Sequence, residues 1–60
     1  MSYQELFTRA CKTGRINIVR RLLKESNIVP TAENNLAIRL ANYAGHIEVV
    51  KLLEQHGCKL

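Results

Sequence analysis

Shifted by 31 residues, the chain overlays on itself: Ala10 falls on Ala41, Gly14 on Gly45, Ile16 on Ile47, Val19 on Val50 and Leu22 on Leu53. Arg15/His46, Ile18/Val49 and Arg20/Lys51 are similar pairs. The shared positions are a small helix residue, a turn glycine and one face of the helix that follows. Packing one helix pair on the next would hold those positions constant. A period in this range marks stacked helix-pair repeats, which bury their apolar faces against neighbours. The 60 residues hold two such pairs in one domain, residues 1–60. A domain of this size buries only about 60% of its unfolded surface. That leaves little core to support a large active-site cleft.

Local periodicity agrees with the repeat. Ser2-Tyr3-Gln4-Glu5 has the form of a capping box and predicts a helix from about Tyr3. Leu6, Phe7, Ala10 and Cys11 form one helical stripe, and Gly14 suits a left-handed helix stop. Ile16, Val19, Leu22 and Leu23 form a second stripe on a helix from about Ile16 to Glu25. A connector follows from Asn27 to Asn35, with Ser26 read as a turn residue and Thr31, Asn34 and Asn35 as competent caps. Pro30 pushes Val29 toward extended geometry. The third helix carries Leu36, Ile38, Leu40, Ala41 and Ala44 up to Gly45; the fourth runs from Ile47 to Gly57. On the second pair, Ile38, Ala41, Ile47, Val50 and Leu53 are expected to face inward. Leu36, Leu40, Val49 and Leu52 are expected on a second apolar side. The fold class is all-α, and no strand pattern of any length occurs.

Composition narrows the function classes. Apolar residues at 47% and charged residues at 23% are ordinary for a globular chain. No apolar run reaches the ~18 residues of a membrane span. Met1 to Glu5 has no basic or apolar signal region. Two cysteines without dense spacing suit a reducing, intracellular setting, cytoplasm or nucleus. The net charge of +4 lies entirely in the first half: Arg9, Lys12, Arg15, Arg20, Arg21 and Lys24 oppose only Glu5 and Glu25. The second half balances Arg39, Lys51 and Lys59 against Glu33, Glu48 and Glu54. A basic helical nucleic-acid reader is the competing class, with Arg15 and Asn17 at the head of the second helix as base readers. The same glycine turn recurs at Gly45 before a charge-balanced helix, which favours stacking over groove reading.

The stretch from Ala41-Asn42-Tyr43-Ala44-Gly45-His46-Ile47-Glu48-Val49-Val50-Lys51-Leu52-Leu53 to Gly57 resembles the ankyrin repeat, whose consensus reads A-A-x-x-G-H-x-E-V-V-K-L-L-L-x-x-G-A. Residues 2–29 resemble, more loosely, an N-terminal capping repeat; residues 32–60 are the second repeat. The family's T-P-L-H opening is replaced by Leu36-Ala37-Ile38-Arg39-Leu40-Ala41, similar to the A-I-R variant of divergent arrays in large DNA viruses and some microbes. Arg39 occupies the position of the family's turn-bracing His. The period of 31 is shorter than the usual ~33, and the shortfall lies between Ser26 and Gly45. The resemblance implies two stacked helix-turn-helix repeats and a non-enzymatic protein–protein interaction module, an adaptor or scaffold. A viral chain of this kind would act inside the host cell.

The resemblance also implies where a protein partner docks: the finger at Thr31, Ala32, Glu33, Asn34 and Asn35, and the exposed ends of the first helices. Those ends are Lys12 and Thr13 in one copy, and Asn42, Tyr43 and Ala44 in the next. Tyr43 is the leading contact, offering large area with a polar tip. Arg39 is expected to bridge to Glu33 or Glu5, or to meet the partner. No catalytic residue, cofactor or metal site is expected. Zinc needs about four ligands, and His56-Gly57-Cys58 has only Cys11 as a further thiol. His46 reads as an inter-repeat junction residue. The chain reaches Leu60 without a polar cap, so further repeats or self-association are expected at the C-terminal face.

Overall fold

The computed structural model describes residues 2–25 and 27–60, and the turn expected at Ser26 lies outside them. Within the described residues the chain is all-helical. The helices are α1 (Tyr3–Thr13), α2 (Ile16–Glu25), α3 (Ala32–Tyr43) and α4 (Ile47–Gln55). Ser2 caps α1: its hydroxyl accepts from the Glu5 N–H at 3.1 Å and donates to Glu5 Oε1 at 3.3 Å. Half of the expected capping box forms in this way, with the carboxylate gripping the hydroxyl instead of the N-cap amide.

The repeat is written into the backbone hydrogen bonds. At the end of α1, Gly14 is left-handed at φ 76° and the Arg15 N–H donates to the Ala10 carbonyl at 2.9 Å. Thirty-one residues on, Gly45 sits at φ 81° and the His46 N–H donates to the Ala41 carbonyl at 2.9 Å. The next bonds repeat too: Val19 N–H to the Arg15 carbonyl and Val50 N–H to the His46 carbonyl, both at 3.0 Å. A positive φ of this size suits glycine because no Cβ meets the following carbonyl.

These turns fold α1 back on α2 and α3 back on α4, and α1 packs on α3 while α2 packs on α4. One apolar cluster runs through both pairs: Phe7, Ala10, Cys11, Val19 and Leu22 meet Ala37, Ile38, Ala41, Val49, Val50, Leu53 and Cys58. Phe7, Cys11, Val19, Ile38, Ala41 and Leu53 have no exposed surface at all. Burying such side chains contributes roughly 1.5–3 kcal/mol apiece for the larger ones.

Two expectations for α4 are reversed. Ile47, expected inward, is 55% exposed, and Val49, expected on an outer side, is 1% exposed and part of the core. The two lie about 200° apart around a helix of 3.6 residues per turn. Seating α4 with Val49 toward the cluster therefore turns Ile47 away from it. Leu36 and Leu40 are half-buried and Ala44 is exposed, while Ala37, not among the expected stripe, is buried.

The connector departs furthest from expectation. Val29 to Ala32 is a β-turn with Pro30 at its second position, closed by the Ala32 N–H on the Val29 carbonyl at 3.2 Å. Glu33, Asn34 and Asn35 then take left-handed angles, φ 55°, 57° and 63°, so the first turn of α3 is a left-handed one. Asn34 and Asn35 do not cap, and Thr31, the N-cap, makes no side-chain bond. A left-handed residue with a Cβ costs roughly 1–2 kcal/mol. Three contacts hold the segment in place. The Gln4 amide clamps both sides of Val29, with Nε2 donating to its carbonyl and Oε1 accepting from its N–H, each at 3.1 Å. Cys58 Sγ donates to the Pro30 carbonyl at 3.4 Å. Arg39 Nη2 donates to the Glu33 carbonyl at 3.5 Å.

Candidate functional site

On α1, the positions left over by the buried stripe of Phe7, Ala10 and Cys11 recur at helical spacing: Glu5, Thr8, Arg9 and Lys12. Together with Ser2 and Gln4 they form one wall of a groove of about 530 Å³, whose other wall is Glu33 and Leu40 of α3. The groove thus runs between the first helices of the two pairs. Its charges are mixed, two acidic (Glu5, Glu33) and two basic (Arg9, Lys12), with half-buried Leu40 as the apolar member. The Thr8 hydroxyl is spent on the Gln4 carbonyl at 3.1 Å, so it offers the groove an acceptor lone pair rather than a proton.

The expected contact residues are only partly gathered here. Lys12 and Glu33 line the groove, and Arg39 touches the Glu33 main chain instead of pairing with the Glu33 or Glu5 carboxylate. Thr13 turns elsewhere: its hydroxyl donates to the Arg9 carbonyl at 2.9 Å, and it borders a second pocket that adjoins the groove at Arg9. Asn34 is exposed in the left-handed turn, whereas Asn35 is half-buried and its Oδ1 is buried with no hydrogen bond. Asn42 is exposed, and Tyr43, at 93% exposure, projects freely from the end of α3. Sequence reasoning missed Ser2, Gln4, Glu5, Thr8, Arg9 and Leu40. The helical spacing from Glu5 to Lys12 was the signal that could have found most of them, and Leu40 follows as the repeat counterpart of Arg9.

Both thiols lie in the core. Cys11 is fully buried, and burial, reinforced by the nearby Cys58 thiol, pushes its pKa from the usual 9.0 to about 12. Burial likewise raises Cys58. At neutral pH both stay protonated and poorly nucleophilic. His46 heads α4 without a side-chain capping bond, and its ring lies over Gly14 at the junction of the two pairs. Among the described residues no group of three or more metal-ligating side chains comes together. Within the same residues no helix is long and apolar enough to cross a membrane. On the outer face of α2, Arg20, Arg21 and Lys24 are exposed, and Arg21 pairs with Glu25 at 3.4 Å.

Comparison of the chain with family models, with curated proteins and with solved structures finds no match.

Proposed function

We propose that this chain is a protein-interaction module built from two ankyrin-type repeats, acting by surface complementarity and without catalysis. The observation that carries the reading is the groove between α1 and α3, walled by exposed side chains of both signs together with half-buried Leu40. A mixed-charge groove with one apolar wall residue fits a peptide segment or loop that carries both signs and one apolar anchor. Arg39 supports the reading further: its bond to the Glu33 carbonyl braces the turn from the position where the ankyrin family has its His. Tyr43 is a freely exposed aromatic at the end of α3, one of the residue types enriched among binding hot spots.

The test is selection of binders from a displayed peptide library, followed by affinity measurement. Lys12→Ala with Tyr43→Ala should weaken selected binders at least about tenfold, the effect of removing ~1.4 kcal/mol. The melting temperature should stay within the range set by ~0.5 kcal/mol, because both sites are exposed. Unchanged affinity in the folded double variant would overturn the reading. So would binders lost only on Arg20→Ala with Arg21→Ala. Binding of random duplex DNA that falls steeply with salt would instead assign the basic face of α2 to nucleic acid.

A further inference from the structure

The junction between the two helix pairs has two sides. Gly14 and Ile16 present one side; the start of α4, from His46 through Ile47 and Glu48 to Val49, presents the other, with the His46 ring lying where a Cβ on Gly14 would be. The repeat supplies the counterpart of each residue. Gly45 and Ile47 correspond to Gly14 and Ile16, and Arg15 and Ile18 correspond to His46 and Val49. Both counterpart sets are open. A Cβ built on Gly45 meets nothing within 4 Å, and Ile47 is 55% exposed. At the other end, Arg15 and Ile18 border an apolar pocket of about 220 Å³ with Leu6 and Thr13. One end of the molecule therefore repeats the first side of its own internal junction, and the other end repeats the second.

We infer that a second copy of this chain docks head to tail, seating its Arg15/Ile18 pocket on the Gly45/Ile47 end of the first. Arg15 of the incoming copy takes the place over Gly45 that His46 holds over Gly14. Charge favours this direction. The pocket end belongs to the half with a surplus of four positive charges, and the opposite half has no net charge. Pocket-to-pocket pairing would instead set two positive halves against each other. The new junction is more polar than the internal one, because exposed Asn42 stands where buried Cys11 does. It is therefore weaker than the internal one. Such a contact is heterologous and repeats the step between the two internal pairs, so copies add end to end. Apart from Arg9, which borders both, it uses different residues from the α1–α3 groove.

Sedimentation of the full chain over roughly 10 µM to 1 mM tests this. The average mass should climb with concentration and show no plateau. Ile47→Glu and Ile18→Glu, each verified as folded by its melting curve, should each lower self-association at least about tenfold. Arg15→Glu, at an exposed position, serves as a second pocket variant should Ile18→Glu unfold. Mixed in equal amounts, an Ile47→Glu chain and a pocket variant retain one intact junction between them and should form a dimer and nothing larger. A wild-type chain that stays monomeric across the range overturns the inference. Association sensitive to Ile47→Glu alone also overturns it, because that pattern belongs to a symmetric dimer. Folded variants that fail to pair when mixed overturn it as well.

Discussion

Gly14 and Gly45 are the same residue in the same turn, with φ 76° and 81° and matching hydrogen bonds around them. They differ in what lies above. The His46 ring covers Gly14, and nothing covers Gly45. Their neighbours diverge in the same way: Ile16 is half-buried and Ile47 is 55% exposed, Cys11 is buried and Asn42 is exposed. Local sequence makes the turn in both places. Only the presence of a second helix pair turns the first turn into part of a core.

The largest expected effect separates the two glycines directly. Gly14→Ala meets both the left-handed backbone and the His46 ring, and should cost about 2–4 kcal/mol. Gly45→Ala meets only the backbone penalty, about 1–2 kcal/mol. Chemical denaturation measures both. Adding His46→Ala to Gly14→Ala should recover about 1–2 kcal/mol of the difference, since the pair is in contact. Equal costs at Gly14 and Gly45 would show that the covering ring does not matter.

A pH-dependent contrast concerns Cys11 against its exposed counterpart Asn42. Cys11 ionises near pH 12 in the fold, against the usual 9.0. Above pH 9 the unfolded thiol loses its proton while the folded one keeps it, so the unfolded state is favoured. Stability should hold below pH 9 and decline from there toward pH 12. Cys58, raised in the same direction, adds to the decline. Denaturation midpoints taken at intervals across that window check this, and Cys11→Ala should flatten most of the fall.

The smallest effect lies in the connector. Glu33 at φ 55° bears the left-handed penalty without the tolerance of asparagine. Glu33→Gly relieves that strain at some cost in unfolded-state entropy, and should stabilise by about 0.5–1 kcal/mol. A lower melting temperature would show that the Glu33 side chain, and not its backbone, holds the turn.

How much of this was legible varies by element. Ser2, Gly14 and Gly45 announced the helix ends because capping and left-handed stops depend on a few adjacent atoms. The groove wall from Glu5 to Lys12 was legible as a spacing but was not read from it; Lys12 came from the family resemblance alone. The left-handed run at Glu33, Asn34 and Asn35 was not read. Asparagines suit both caps and left-handed angles, and a glutamate signals neither. The exchange of Ile47 and Val49 was hidden because both are apolar, and a hydrophobic stripe does not tell which of two apolar residues meets the neighbour.

Helix positions, turn glycines and the 31-residue period follow from the order of residues alone, because each depends on contacts within a turn or two of backbone. The rotation of α4, the seating of the His46 ring on Gly14 and the groove between α1 and α3 came only with the packed molecule. Each of these requires two helix pairs to meet at one distance and one angle. That meeting is decided by close packing of the whole apolar cluster, which no single segment encodes.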